Sequence, residues 1–164
     1  MIDWATRCQL AEPPPPIRVT GENRRWAGMV RRDLDSRSGE YALAGLAACG
    51  RGLFRMQEEP RETLGAIAAC DFRHLMLLEE ALAELTAGRR VRFRPPRPVG
   101  GTDDPDALLC RLIAGKRQAV ARYRRQLGRM EDRGMRALLD YLLREETRHL
   151  DRLERLRRTY GGGG

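Results

Sequence analysis

Histidine is nearly missing from this chain: its 164 residues hold two, His74 and His149. Aromatic side chains are scarce as well, at 5% of the sequence against 41% hydrophobic overall. A core built from this composition is aliphatic, which favours packed helices over a sheet. No apolar run approaches the roughly 20 residues of a membrane-crossing helix, so no membrane span is expected. The four cysteines, Cys8, Cys49, Cys70 and Cys110, include no C-x-x-C or other close pair. A zinc site made from them alone is unsupported. They read as small apolar filler, with Cys8 exposed. The opening segment MIDWATRCQLAEPPPP lacks a basic stretch followed by an apolar one. No secretory signal is expected from it, and a cytoplasmic protein is the default.

Acidic charge is in deficit, with 31 Lys and Arg against 23 Asp and Glu, a net charge of +8. Such an excess permits contact with nucleic acid or another acidic surface. Nearly all of it is arginine spread over several helical segments, which reads better as compositional bias than as one binding face.

What the sequence does contain is helical periodicity. The length suits one domain with a core and is short for two. Residues 1–22 read as a proline-rich arm, with EPPPPIRV at 12–19 extended over the surface or onto another subunit. Residues 23–159 read as four helices, and 160–164 as a flexible glycine tail. Asn23 can cap a first helix from Arg24, bent at Asp35–Gly39 and continuing to about Glu58. Its inner face is Glu40, Leu43, Ala47, Gly50 and Phe54. Pro60 belongs in the first turn of a second helix that runs to about Ala87 and stops at Gly88. Its stripe is Leu64, Ile67, Asp71, His74, Leu78, Leu82 and Leu85.

A basic, proline-rich connection from Arg89 to Gly101 follows, long enough for a crossover along a bundle. Asp103 or Asp104 then caps a third helix, with Leu109, Leu112, Lys116, Ala119, Tyr123, Leu127 and Met130 on its buried side. After a turn near Glu131–Gly134, a fourth helix carries Leu138, Leu142, Glu146, His149, Leu153 and Leu156. The expected fold is all-α, an antiparallel four-helix bundle with one long crossover between helices two and three. A coiled-coil dimer fits less well, because the stripes are broader than an a/d seam.

The two histidines each follow an acid by three residues, Asp71-x-x-His74 and Glu146-x-x-His149, and the pairs lie 75 residues apart. Residues three apart share a helix face. Aligning the hairpins on these pairs sets Lys116 within one residue of the place that matches Glu40. A di-iron or di-manganese bundle requires one carboxylate from each of two helices and an acid-x-x-His pair from each of the other two. Glu40, Asp71, His74, Glu146 and His149 meet that demand, and a lysine stands where the sixth ligand belongs. Buried in apolar stripes, such charges require a partner or an ion. The bland alternatives stay open: His74 as an interface hydrogen-bonder, Asp71 paired with arginine, or Glu145 rather than Glu146 facing inward within REETRH.

The constellation resembles the ferritin-like superfamily, in particular rubrerythrin-type and manganese-catalase-like proteins and small spore-coat relatives. The motifs that carry the resemblance are Ser38-Gly39-Glu40-Tyr41-Ala42, Asp71-Phe72-Arg73-His74, Lys116-Arg117-Gln118-Ala119 through Tyr123, and Glu145-Glu146-Thr147-Arg148-His149. It implies Glu40 as a terminal ligand, Asp71 and Glu146 as bridging carboxylates, and His74 and His149 as the imidazole ligands. It also implies an iron or manganese cofactor, oxygen or peroxide chemistry in which two metals alternate oxidation state, and association with spores. Tyr123 is a candidate to hydrogen-bond a ligand. A homo-oligomer, most simply a dimer, is the expected assembly.

Lys116 departs from that pattern. A protonated lysine cannot ligate, and it repels a nearby cation. Three outcomes are compatible with the sequence. One metal is held by Glu40, Asp71 and His74 with Glu146 shared; or no metal binds and Lys116 pairs with Asp71 or Glu146; or Lys116 points outward and an altered two-metal site survives. Iron storage is disfavoured for want of an acidic nucleation surface. Rubrerythrin-style electron transfer lacks its paired cysteines.

Overall fold

A computed structural model describes residues 10, 12–89 and 102–161. Its helices are α1 (Arg24–Asp35), α2 (Glu40–Gly50), α3 (Glu58–Leu85), α4 (Pro105–Leu127) and α5 (Arg133–Tyr160), with a 3-10 turn at Arg51–Phe54. α1 begins where Asn23 Oδ1 accepts the Trp26 N–H at 3.1 Å, satisfying one of the open donors of the first turn. It stops at Ser36, and the chain re-enters helix at Glu40 through Gly39. Glycine is required there by close approach. A Cβ on Gly39 would lie 2.6 and 2.7 Å from the carbonyl oxygens of Leu34 and Asp33, backbone atoms that cannot rotate aside.

The first helix does not continue to Glu58 as the periodicity suggests. α2 ends at Gly50, and a single tight turn follows. Gly50 and Gly52 flank Arg51 and weaken helix there, while the 3-10 turn brings Phe54 inward to 1% exposure. α3 carries Pro60 in its first turn, where no N–H is needed. It closes at Gly88, whose N–H donates to Ala83 O at 2.9 Å. Asp104 caps α4 through the Asp106 N–H at 2.9 Å, and Asp132 caps α5 through the Met135 N–H at 2.8 Å.

Contacts between helix ends define the topology. Asn23 N–H donates to Leu85 O at 3.0 Å, so α1 starts beside the end of α3. Tyr160 donates to Glu59 at 2.8 Å, and Arg157 to Asp106 at 2.8 Å. α3 and α4 therefore both begin where α5 finishes, and run parallel. The chain between them has to return along the bundle. α3 has 28 residues, about 42 Å of helix, and the 19 residues of the connection can reach about 60 Å when extended. This is the single crossover of a ferritin-like bundle. Its basic stretch at 90–101 lies outside the described residues, as do Cys8 and residues 162–164 of the glycine tail. Tyr160, assigned to that tail from sequence, is the last residue of α5.

The expected stripes face inward. Leu127 is the departure: it is only half-buried, where α4 runs out. The apolar core falls into two clusters, one around Leu34, Leu78 and Leu139, the other around Phe54, Leu64, Leu109 and Leu153. On α3 one cluster ends at Cys70 and the other begins at Leu75; on α4 the division falls between Ile113 and Ala119, and on α5 between Leu142 and Leu153. Asp71 and His74 of α3, Lys116 of α4, and Glu145, Glu146 and His149 of α5 occupy that division, whereas the buried Glu62 of α3 lies apart from it. α2 and α4 approach closely at the same level, since a Cβ on Gly115 would meet Leu43 Cδ2 at 2.3 Å. No helix among the described residues is long and apolar enough to cross a membrane.

Candidate metal centre

Glu40 of α2, Asp71 and His74 of α3, Lys116 of α4, and Glu145, Glu146 and His149 of α5 are each 0% exposed. Helical spacing brings them together: Asp71 and His74 lie three apart, as do Glu146 and His149, each pair on one face. The rings of His74 and His149 stack across the bundle with centroids 5.7 Å apart and 21° between planes. Burying so many ionisable groups is tolerable only where they compensate one another.

Lys116 is the hub of that compensation. Its Nζ donates to Asp71 Oδ1 and to Glu146 Oε1, both at 2.7 Å. It therefore links α3 to α5 at the position where the bundle pattern calls for a second cation. Burial works against its charge, but Asp71, Glu146 and Glu40 outweigh it and hold the ammonium well above its ordinary pKa. Glu146 responds in kind. Burial favours its neutral form, yet Lys116 and the two imidazoles keep its carboxyl well below the usual range. The lysine neither snorkels outward nor leaves its carboxylates unpaired.

The histidines are held differently. His74 Nε2 contacts Glu145 Oε2 at 2.6 Å. Glu145 also accepts from Arg73 at 2.7 Å, from Tyr141 at 2.9 Å and from the Leu10 N–H of the arm at 3.0 Å. Burial pushes the Glu145 carboxyl up, but His74, Leu10 and Arg73 prevail and bring it to about 2. An ionised Glu145 only accepts, so Nε2 of His74 carries the hydrogen. In the neutral ring this leaves the Nδ1 lone pair aimed at the carboxylates. Nδ1 lies 3.3 Å from Glu146 Oε1 and 3.6 Å from Glu40 Oε2. Burial disfavours the imidazolium, and Glu145, Glu146 and Glu40 more than restore it, so His74 titrates well above its ordinary value. His149 Nδ1 sits 3.3 Å from both Asp71 Oδ1 and Glu146 Oε1. Tyr123 donates to Glu40 Oε1 at 2.6 Å. Burial and the Glu40 charge keep that phenol protonated far above its usual range.

Four of these residues, Glu40, Asp71, His74 and Glu146, offer ligand atoms that all lie within 4.8 Å of one another. His149 is outside that group. Glu40 Oε2, Asp71 Oδ2, His74 Nδ1 and Glu146 Oε2 are buried with no hydrogen-bond partner. Three carboxylates and an imidazole are a donor set suited to iron or manganese. His149 Nε2 is likewise buried without a partner, and the Lys116 ammonium lies between Asp71 and Glu146.

Sequence reasoning offered Glu145 and Glu146 as alternatives, yet both are buried. Neighbouring helix residues point about 100° apart. α5 packs between α3 and α4, so Glu145 reaches His74 on one side while Glu146 reaches Lys116 on the other. Arg73 and Tyr141, which anchor Glu145, lack a sequence signal of their own.

No family model matches the sequence, and no curated protein matches it. Solved structures do. The crystal structure of KatB, a manganese catalase from Anabaena PCC7120, superposes with a TM-score of 0.77 at 18% identity, over 93% of this chain and 80% of that one. A wild-type KatB structure from Anabaena gives 0.78 at the same identity and coverage. At that identity the likeness establishes the fold: a ferritin-like bundle of the manganese-catalase kind. This chain sets a partial, degenerate metal site within it, with Lys116 in the carboxylate stripe.

Proposed function

We propose that the protein is a degenerate ferritin-like metal-binding protein that holds one iron or manganese ion through Glu40, Asp71, His74 and Glu146, linked to oxygen or peroxide chemistry. The observation that supports this most is the set of four convergent donor atoms, each residue also carrying a buried polar atom without a partner. Such an ion supplies one-electron chemistry towards oxygen or peroxide. The protein's own residues set its limits. Three carboxylates offset the charge of a divalent ion, Glu145 fixes which nitrogen of His74 is free, and the Tyr123 phenol donates to Glu40 Oε1. Lys116 excludes a second ion by charge and by position. The two-centre cycle implied by the family resemblance is then closed to this chain in its usual form.

Expression with iron and with manganese, followed by metal quantitation, tests the proposal. About one ion per chain is expected, lost in His74→Ala. Metal well below one per chain, unchanged by His74→Ala, would remove it. That result would favour a second reading, a metal-free structural or interaction protein. The two 2.7 Å bonds of Lys116 support it, because they already supply the charge that a metal would bring.

A further inference from the structure

Outside the carboxylate centre, five arginines gather around one cleft. α1 and α4 flank a cleft of about 580 Å³, within the range typical of small-ligand sites. Arg25 and Arg32 line it from α1, Arg125 and Arg129 from α4, and Arg122 lies at its floor. Spacings of seven on α1 and four on α4 put each helix's pair on one face. The first four are exposed, and none forms an ion pair with a described residue. Asp33, the one acid lining the cleft, is already engaged: Arg122 Nε lies 2.7 Å away and Gln126 Nε2 donates to both its oxygens at 2.9 and 3.0 Å. Four arginines therefore face a concavity with no counter-charge from the described chain. Like charges held together in this way repel unless an anion joins them.

The floor and one wall narrow the class of anion. Arg122 Nη2 and Gln126 Oε1 are buried and have no hydrogen-bond partner, which leaves one donor and one acceptor unused. Trp26 forms part of the wall, half-buried, with the Arg25 guanidinium 5.2 Å from its ring centroid. A planar ring in the ligand could stack at this aromatic and cationic edge. Arginine forks suit phosphate oxygens. A concave site of this size fits a small molecule better than a polymer, which would be tracked by a long open groove.

We propose that the cleft between α1 and α4 binds a small organic polyphosphate of the nucleotide class, phosphates on the arginines and ring beside Trp26. The proposal is independent of whether the carboxylate centre holds metal. The test is calorimetric titration of the full chain with ATP, with inorganic triphosphate and with a short single-stranded DNA. Expected are one ATP per chain, triphosphate binding more weakly, and DNA binding no better than triphosphate. Arg32→Glu with Arg125→Glu should weaken ATP at least about tenfold, and Arg55→Glu, in the exposed turn after α2, should not. Both cleft substitutions are at exposed positions, and circular dichroism checks that the fold is kept. As a second readout, ATP should quench tryptophan fluorescence in the wild type and not in Trp26→Phe. Absence of ATP binding at low salt, affinity unchanged in the double variant, triphosphate equal to ATP, or DNA binding more tightly through the same arginines would each overturn it.

Discussion

Lys116 does with an ammonium what a second cation would otherwise do: it draws Asp71 and Glu146 together across the bundle, 2.7 Å from each. Removing one partner of a buried ion pair costs about 3–5 kcal/mol, because the remaining charge is left uncompensated. Lys116→Met should lower unfolding stability by that order in urea titrations of metal-free protein. No loss would mean that the carboxylates do not depend on the ammonium. Glu145 acts one step further out, through His74 Nε2. Residues that orient a metal-binding histidine typically contribute 10–100-fold in metal affinity. Glu145→Ala should weaken manganese binding by about that factor, and Glu145→Gln, which keeps an acceptor for Nε2–H, should recover much of it. Equal affinities in all three proteins would rule out a positioning role.

At the scale of elements, the break between α1 and α2 fixes where Glu40 enters the core. Gly39→Ala would press a methyl group against two backbone carbonyls, and overpacking of this kind costs about 1–3 kcal/mol. Thermal unfolding should show that loss, whereas an alanine at the open Gly45 should be neutral or stabilising. Much of this architecture was legible in the sequence, since apolar spacing, Asn23, Pro60, Gly88 and Asp104 punctuate the helices by local chemistry. The carboxylate–histidine cluster was legible too, because charged residues interrupting apolar stripes at one level of a bundle have to meet, whereas pairing of Lys116 with Asp71 or Glu146 was one of three outcomes the sequence allowed, and both bonds form. The premature end of α2 was not legible, as a 3-10 turn depends on where Phe54 finds room. Nor was the burial of adjacent Glu145 and Glu146, which follows from α5 lying between two helices. Asp33 likewise gives no sign in sequence that it will be buried against Arg122.

For the whole molecule, that buried Asp33 makes stability depend on pH. Desolvation by burial, opposed by Arg122 and Gln126, moves its carboxyl from 3.8 to about 6. The folded state then binds a proton that the unfolded chain has released, so this contribution is complete below about pH 4 and is lost as pH rises through about 6. The shift corresponds to roughly 3 kcal/mol. Relative to Asp33→Asn, the wild type should lose stability by that order between about pH 4 and 7; a difference that stays flat with pH would contradict it. On the proposed reading, the bundle as a whole is a frame for two metals with an ammonium set into one of the two places. Metal content of the wild type beside Lys116→Glu, each loaded with manganese, tests that statement most directly. One ion per chain is expected in the wild type and two in Lys116→Glu, where the sixth ligand is restored. Two ions in the wild type, or the same content in both proteins, would contradict it.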